Sequence, residues 1–184
     1  MPELLYRIAQ TEDIPSLEKL INNSYRGHES RNGWTNEVDL LEGPRTDAKY
    51  LQDLLNQSNS IILVAESEST IVGSVHLSRL DAGKAYLGML AIKSDWQNRG
   101  IGRQLMNAAE SWLKKNWKTS TIRMTVIQKR VELIAWYERR GYHRTGETEP
   151  FPYGDLSVGK PLIRDMEFVV LEKSHFSVEG LYLA

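Results

Sequence analysis

The sequence of 184 residues contains no cysteine. This absence excludes disulfide-stapled folds, zinc sites with thiolate ligands and enzymes that use a cysteine nucleophile. No apolar run approaches the roughly 18 residues that a membrane span requires. The opening "MPELLYRIAQTEDIP" lacks the basic start and the apolar stretch of a secretory signal. We therefore predict a cytoplasmic protein that binds no membrane.

The chain also has little net charge, with a formal value of -1. It lacks the global positive field that attracts nucleic acid, and the basic run from Lys114 to Lys118 is typical of a solvated helix end. The sequence shows no internal repeat and predicts no metal site. Its length suits one domain, which we expect over residues 1–173, followed by a C-terminal tail over residues 174–184.

Hydrophobic periodicity predicts alternating strands and helices. A strand, a helix and a further strand in succession imply a right-handed crossover, so we expect a partly parallel sheet. The segment between Gly141 and Leu162 is interpreted as a loop. The predicted elements are a strand at Leu4–Ala9, a helix from Ile14, a helix capped by Thr46 or Asp47, a hairpin of "IILVAE" and "TIVGSVHLSRL", a strand at Ala85–Ile92, a helix from about Gly100, a strand from Thr121, a helix in "RVELIAWYERRGY" and a strand at Leu162–Leu171.

The stretch Gln97–Arg103, "QNRGIGR", places two glycines and two arginines where a strand meets a helix. Unpaired N–H groups at a helix start carry a partial positive charge, and glycines let a phosphate approach them. The stretch therefore indicates a pyrophosphate-binding turn, with a tight turn and two exposed arginines as the alternative. A dinucleotide-binding turn would need a third glycine where Leu105 stands, and a P-loop would need a Gly-Lys-Ser/Thr ending.

Two separate segments resemble those of a known family. "QNRGIG", Gln97–Gly102, resembles the Q/R-x-x-G-x-G/A signature of the GNAT-type N-acetyltransferases. "AWYERRGY", Ala135–Tyr142, is similar to the ending of a helix in the same family. The opening "YRIAQTEDIPSLEKLINNSYRG" and the run "IVGSVHL" also resemble the family's first strand and helix and its third strand. The resemblance covers nearly the whole chain in the family's order.

The resemblance implies a GNAT-type α/β fold with a mixed, partly parallel twisted sheet of about six to seven strands and helices on both faces. A central strand pair would begin parallel and then splay apart, and the cofactor acetyl-CoA would bind in that wedge. Backbone groups at a splayed edge are unpaired and can bind the amides of the pantetheine arm. The implied cofactor-binding residues are Leu90, Ala91, Ile92, Gln97, Asn98, Arg99, Gly100, Ile101, Gly102, Arg103, Arg130 and Tyr137.

The resemblance also implies catalytic roles for Tyr137 and Leu90. Tyr137 matches the tyrosine that in many relatives protonates the departing thiolate; packing against the cofactor is the alternative. A free phenol has a pKa of about 10, above the roughly 8.5 of a thiol, so tyrosine is protonated at neutral pH. The N–H of Leu90 would stabilise charge on the thioester oxygen. The implied reaction is direct attack by a neutral amine in a ternary complex.

The sequence departs from the family pattern in two places. Many relatives carry a glutamate on the strand before the signature, yet Tyr86–Ile92 contains no carboxylate. The general base would then be His76, Glu147 or Asp155, or the amine would arrive neutral. Arg130 stands where relatives commonly have an asparagine that holds the cofactor, so it would meet a phosphate or the local contact would differ.

The acceptor would bind between the first helical region and the loop before the last strand. Aromatic and acidic residues there would suit a cationic amine, whereas Arg31 and Arg45 would suit an acceptor with a carboxylate or a phosphate. The sequence does not choose between these acceptors, and two polar surface loops are the alternative. The candidate substrate-binding residues are Trp34, Glu37, His76, Phe151, Tyr153 and Asp155.

These features together predict an acetyl-CoA-dependent N-acetyltransferase that modifies the primary amine of a small molecule, as a monomer or homodimer. Two alternatives remain at this point. One is a protein or peptide N-acetyltransferase, whose cleft must admit a backbone segment. The other is a CoA-binding sensor that has lost turnover.

Overall fold

A seven-stranded sheet lies at the centre of the protein, in the order β1-β3-β4-β5-β6-β9-β7, and β2 and β8 form a separate two-stranded sheet. The computed structural model describes residues 3–27, 36–81, 83–155 and 158–174. The strands are β1 (Leu5–Ile8), β2 (Leu41–Glu42), β3 (Ser60–Ser67), β4 (Thr70–Asp81), β5 (Lys84–Ile92), β6 (Thr121–Ile127), β7 (His143–Pro150), β8 (Lys160–Pro161) and β9 (Glu167–Ser174). Neighbouring strands are antiparallel except β5 and β6, which run parallel.

Helices cover both faces of the sheet, as predicted. They are α1 (Ile14–Arg26), α2 (Ala48–Asn56), α3 (Ile101–Trp112) and α4 (Val131–Glu138). Apolar residues of α1 and α2 pack with Ile62 and Val64 of β3. Those of α3 and α4 share a second core with Leu63 and Ala65 of the same strand. Because successive side chains of a strand point to opposite faces, the unbroken apolar run of β3 contributes to both cores.

The central strands β5 and β6 begin side by side and then separate. They pair only through Lys84–Tyr86 and Thr121–Arg123, although both strands continue beyond these residues. Between β4 and β5 the register shifts, so that Met89 and Leu90 oppose the single residue Val75. Met89 has a positive φ of 46°. Such a β-bulge bends its strand and increases its twist, and the predicted splayed strand pair is thereby confirmed.

Local sequence signals correctly predicted several element ends. The predicted hairpin is β3–β4, with Glu68 and Ser69 in the left-handed region at its turn. Asp47 caps α2 by accepting a hydrogen bond from the N–H of Tyr50 at 2.7 Å. Gly141 follows α4 with a φ of 85°. At Asp47 and Gly141 the residue type suits the local conformation without help from distant parts of the chain, whereas Glu68 and Ser69 adopt a region that favours glycine.

The prediction for residues 142–171 was partly wrong. Residues His143–Pro150 form β7 rather than a loop, and the last strand spans Glu167–Ser174 rather than 162–171. Every residue of β7 is exposed, so the strand has no hydrophobic alternation to reveal it. It is held instead by pairing with β9 and by Arg123, whose Nη2 lies 2.8 Å from Oε2 of Glu147 and 3.2 Å from Oε1 of Glu149.

The predicted tail over residues 174–184 lies outside the described residues except for Ser174, which ends β9. Within the four described ranges, no helix has the length and apolar character needed to cross a bilayer.

Candidate active site

The glycine-containing stretch forms a turn between β5 and α3. A short 3-10 turn at Ser94–Trp96 follows β5, and α3 begins at Ile101 with Gly100 as its N-cap. Gly100 has a φ of 78°, and a Cβ built there would meet no atom within 4 Å. Glycine is therefore favoured at this position by backbone conformation rather than by crowding. Asn98, at a φ of 59°, adopts the same left-handed region.

The N–H groups of this turn are available to a ligand. Trp96 and Gln97 donate to the carbonyl groups of Lys93 and Ser94. Among the described residues, the N–H groups of residues 98–103 donate to no other group, and the first donor of the helix is Gln104, whose N–H donates to the Gly100 carbonyl at 3.1 Å. The unpaired donors point out of a helix start and attract anions.

A cavity of about 270 Å³, which we call the turn pocket, opens beside these N–H groups. Six of the predicted cofactor residues from 97 to 103 line it, whereas Arg99 is outside the lining and lies over the Trp96 ring, 5.6 Å from its centroid. The residues that line the turn pocket are Ile92, Gln97, Asn98, Gly100, Ile101, Gly102, Arg103, Trp136 and Arg140.

Arg140 is a residue of the turn pocket that sequence reasoning missed. Its guanidinium carbon lies 3.4 Å from the centroid of the Trp136 ring, and its Nη1 donates to the Trp136 carbonyl at 2.6 Å. Its buried Nε has no hydrogen-bond partner in the part of the chain that the structure describes. Burial, with smaller contributions from the charges of Arg139 and Arg103, lowers the pKa of Arg140. A cation held beside Arg103 with an unused donor would be stabilised by an anionic ligand.

The backbone of the bulged strand contacts side chains of α1. The Tyr25 hydroxyl donates to the Leu90 carbonyl at 3.2 Å, and the Ser24 hydroxyl donates to the Ile92 carbonyl at 3.1 Å. The side-chain amide of Gln97 also donates to Ile92, at 3.0 Å. The side chains of Leu90, Ala91 and Ile92 are buried in the cores. Binding of the cofactor by their main chain stays a prediction, as does the role of the Leu90 N–H.

Tyr137 lies near the end of α4 and is buried. Its ring packs edge-on against Trp136 at 5.1 Å and against Tyr142 at 5.9 Å, measured between ring centroids. Burial is the main reason that the pKa of Tyr137 is raised well above 10. The hydroxyl is therefore protonated at any physiological pH. Its catalytic role stays a prediction.

A second cavity, of about 160 Å³, opens between the diverging β5 and β6, and we call it the wedge pocket. The Tyr86 hydroxyl spans the divergence and lies 3.0 Å from Oγ1 of Thr125. The residues that line the wedge pocket are Tyr25, Glu37, Arg45, Tyr86, Leu87, Gly88, Met89, Met124, Thr125, Val126, Ile127, Arg130, Leu133, Tyr137 and Phe168. Tyr137 thus contacts this cavity, while the adjacent Trp136 lines the turn pocket.

A buried ion triad lies at the wall of the wedge pocket. The Glu37 carboxylate pairs with Arg26 through Oε2 and with Arg130 through Oε1, the latter at 3.0 Å from Nη1. The side chains of Arg26, Glu37 and Arg130 are only 8%, 10% and 7% exposed. Arg130 thus lies in the wall of the wedge pocket, and its predicted contact with the cofactor stays a prediction. No sequence signal joins Glu37 to Arg130, since they are 93 residues apart.

His76 lies on β4 outside the wedge pocket. Its Nε2 lies 2.9 Å from the Ser60 hydroxyl, and burial, followed by the charge of Arg45, lowers its pKa to about 4. A neutral histidine with that pKa is a weak base. Glu147, another candidate base, pairs with Arg123 instead.

Three further predicted acceptor residues, Phe151, Tyr153 and Asp155, are not among the described residues that line the wedge pocket. Phe151 is buried and stacks on Phe168, which does line it, with 5.5 Å between ring centroids. The Tyr153 hydroxyl accepts a hydrogen bond from the N–H of Met166 at 2.6 Å. Asp155 is exposed. These residues anchor the late loop. Trp34 lies outside the described residues.

Residues 21–142 match the sequence profile of the acetyltransferase (GNAT) family. The chain belongs to the GNAT family. A search of curated protein sequences found no significant match. As a GNAT protein, the chain is an acetyltransferase, and acetyl-CoA is its acetyl donor. The turn Gln97–Arg103 carries Arg99 and Arg103, and the N–H groups of residues 98–103 are unpaired among the described residues. These groups fit the phosphates of such a donor.

Solved structures share the GNAT fold at low sequence identity. The spermidine N-acetyltransferase from Vibrio cholerae, in complex with CoA and spermine, is 18% identical with a TM-score of 0.69, covering 94% of this chain and 95% of that one. The ribosomal-protein-S18-alanine N-acetyltransferase from Escherichia coli is 16% identical with a TM-score of 0.67, covering 98% and 100%. These two proteins act on different kinds of amine, so the fold alone leaves the acceptor of this chain open.

Proposed function

We propose that this protein transfers the acetyl group of acetyl-CoA to the primary amine of a small molecule, by direct attack in a ternary complex. The position of Tyr137 carries the proposal, since it lines the wedge pocket while the adjacent Trp136 lines the turn pocket. A donor in the turn pocket and an acceptor in the wedge pocket would meet beside Tyr137. Holding both reactants in place makes the step effectively unimolecular.

The turn pocket supports binding of the donor's pyrophosphate. The N–H groups of residues 98–103 would donate to phosphate oxygens, and Arg103 and Arg140 would contribute positive charge. The main chain at Leu90–Ile92 would bind the pantetheine arm. Arg130 is assigned to the acceptor side, because its contact with Glu37 places it in the wall of the wedge pocket.

Acetyl-CoA supplies a thioester, whose carbonyl carbon accepts the lone pair of a neutral amine as the carbon–sulfur bond breaks. Tyr137 donates its phenolic proton to the departing sulfur. Burial raises the pKa of Tyr137, and the same burial raises the pKa of a thiol that leaves beside it. The N–H of Leu90 donates to the thioester oxygen, a contact of a kind that contributes about a hundredfold or more to the rate. The proton lost by the amine passes to solvent, and Tyr137 regains one proton from solvent, so that no net proton is gained or lost in a turnover.

The closed shape of the wedge pocket favours a small acceptor over a peptide. Its volume of about 160 Å³ is below the roughly 300–1,000 Å³ typical of sites for drug-sized ligands. The strands β2 and β8 join the first loop to the late loop. Arg26 reinforces this closure, since its Nε donates to the Gly43 carbonyl and its Nη2 to the Val158 carbonyl, both at 3.1 Å.

The proposal is tested by incubating the protein with acetyl-CoA and a panel of small amines while free thiol is measured. The absence of cysteine means that the protein itself gives no thiol signal. Tyr137→Phe should lower kcat by about 100- to 10,000-fold, because the departing sulfur loses its proton donor, and should leave the KM for acetyl-CoA within a few-fold. Tyr50→Phe, at an exposed tyrosine of α2, is the matched control and should behave as wild type.

Three results would contradict parts of the proposal. Tight CoA binding without turnover on a broad panel would indicate a CoA-binding sensor. More efficient acetylation of peptides than of small amines would indicate a protein acetyltransferase. An unchanged kcat in Tyr137→Phe would leave this residue a packing role only.

A further inference from the structure

Positive and negative side chains are present in unequal numbers among the described residues that line the wedge pocket. Three ionisable side chains of fixed charge line it, namely Glu37, Arg45 and Arg130. Both carboxylate oxygens of Glu37 are already held, one by Arg26 and one by Arg130. Two guanidinium groups thus share one carboxylate, and Arg45 adds a further positive charge. Among the described residues that line the pocket, positive side chains therefore outnumber negative ones, and Arg45 is the cation that Glu37 does not contact.

Arg45 has no carboxylate partner within ion-pair distance in the described ranges. Its guanidinium carbon lies 5.4 Å from the centroid of the Tyr25 ring, and the Tyr25 hydroxyl bonds to the Leu90 carbonyl on the bulged strand. The side chain is half-buried. Its charge also reaches His76, where it is the second cause of the lowered pKa. A half-buried guanidinium that has no carboxylate partner in the described part of the chain therefore lies beside the predicted reaction centre.

The pocket also lacks what a cationic acceptor needs. Glu37 is the only carboxylate among the described lining residues, and both of its oxygens are engaged by arginines. An ammonium group in this cavity would meet Arg45 and Arg130, and the described lining residues offer it no carboxylate besides Glu37. Like charges a few ångströms apart repel strongly where water is excluded. A polyamine, with several ammonium groups, is therefore a poor fit.

From this arrangement we infer that the acceptor is a small amine that also bears a carboxylate, which Arg45 and Arg130 bind in the wedge pocket. Guanidinium groups match a carboxylate in charge and in the geometry of their donors. The inference rests on the proposed function and names the substrate class of the same site. It sets this chain apart from the spermidine acetyltransferase that shares its fold.

The same positive charge assists the chemistry at the amine. Nearby cations disfavour the ammonium form and so lower the pKa of a bound amine. The attacking group is then neutral without a carboxylate base on the strand Tyr86–Ile92. The excess positive charge accounts both for recognition of the carboxylate and for the missing strand glutamate.

The inference is tested with matched pairs of acceptors, each an amino acid and its carboxamide, together with spermidine and an aminoalkyl phosphate. We expect kcat/KM for each amino acid to exceed that of its carboxamide by about tenfold to a hundredfold, the usual effect of a charged hydrogen bond. Spermidine should be the poorest acceptor. Arg45→Gln should reduce the preference for the amino acid by about tenfold, while the KM for acetyl-CoA serves as a readout of the donor side.

Arg79→Gln is the matched control variant, because Arg79 also lies over an aromatic ring, that of Trp117 at 5.2 Å, outside both pockets. It should keep the full preference for the amino acid. Equal rates with amino acid and carboxamide, or a preference for spermidine, would overturn the inference and leave acetyl transfer standing. Faster transfer to the aminoalkyl phosphate would overturn the assignment of the anionic group as a carboxylate.

A binding measurement separates this inference from the proposed function. Calorimetry of the protein–CoA complex with an amino acid and with its carboxamide does not require turnover. Tighter binding of the amino acid, weakened by Arg45→Gln and not by Arg79→Gln, would support the inference even if no amine were acetylated, and only the proposed function would then fail. Equal binding of the two compounds would overturn the inference.

Discussion

The turn pocket and the wedge pocket are built in opposite ways. The turn pocket takes most of its lining from one stretch of chain, Ile92–Arg103, and includes the residues 98–103 whose N–H groups are unbonded among the described residues. The wedge pocket takes its polar side chains from segments far apart in sequence, including Tyr25, Glu37 and Arg130. One site depends on local conformation and the other on the assembled fold.

Because of this difference, we expect substitutions in the turn pocket to affect ligand binding and substitutions in the wedge pocket to affect stability. A turn of glycines and exposed arginines contributes little buried surface, so changes there should alter ligand binding and leave folding intact. The ion triad of the wedge pocket is buried, and removing one partner leaves uncompensated charge inside the protein. Changes there should lower the free energy of unfolding.

The largest expected effect is on donor binding and comes from Gly102→Glu. A carboxylate at the start of α3 would lie beside the phosphates, and like charges about 4 Å apart near a protein surface repel by about 4 kcal/mol, or roughly a thousandfold in affinity. The helix itself tolerates an acidic residue in its first turn. Calorimetric titration with CoA should show lost binding, and thermal unfolding should stay close to wild type.

Asn107→Glu adds the same charge to an exposed position of the same helix and is the control for Gly102→Glu. It should retain CoA binding. Unchanged affinity for CoA in Gly102→Glu would show that the donor phosphates bind elsewhere.

The next effect in size is on stability and comes from Glu37→Gln. This change keeps the shape of the side chain but leaves Arg26 and Arg130 without their shared anion, so the free energy of unfolding should fall by about 3 kcal/mol. Urea denaturation measures the change. Glu42→Gln is the matched control, because the Lys160–Glu42 pair is exposed, 69% and 62%, and spans 3.3 Å. Surface pairs of this kind contribute little.

Equal stabilities of the Glu37→Gln and Glu42→Gln variants would contradict the expectation that the wedge pocket, unlike the turn pocket, contributes to the stability of the fold. The ion triad would then serve acceptor binding rather than stability. In the Glu37→Gln variant, other groups would have to compensate the charges of Arg26 and Arg130.

The smallest effect is a pH dependence of stability caused by protonation of His76, which is not among the described residues that line the wedge pocket. Its pKa is about 4 in the folded protein against 6.5 for the free side chain. Between these values the unfolded chain binds more protons, so the contribution is complete above pH 6.5 and declines as the pH falls toward 4. Relative to His76→Gln, wild type should lose about 2 kcal/mol of unfolding free energy between pH 7.5 and 5.

A second variant sharpens the pH experiment. Because the charge of Arg45 lowers the pKa of His76 as the second cause after burial, Arg45→Gln should reduce the loss of stability at pH 5. Parallel pH profiles for wild type and His76→Gln would mean that His76 is not the titrating group.

The turn pocket was largely predictable, and the wedge pocket largely was not. Gly100 and Gly102 lie at the start of a helix, where the absence of a side chain lets a phosphate approach the backbone N–H groups. This role can be predicted from the local sequence alone. The contact of Arg130 with Glu37, a residue 93 positions away in the sequence, could not be predicted from either segment, and the predicted contact of Arg130 with the cofactor stays a prediction. The strand β7 was missed because each of its residues is exposed and nothing in its polar sequence alternates.

By itself, the sequence determined the glycine turn, the family and the order of strands and helices from Leu4 to Gly141 apart from the two-residue strand β2, because each of these depends on residues that are neighbours in the chain. Only the tertiary structure decided that Glu37 is held by two arginines, that Arg45 stands without a carboxylate partner among the described residues, and that His76 lies outside the pocket. The net charge of a cavity is the sum over side chains that folding brings together. It cannot be predicted from the positions of those residues in the sequence.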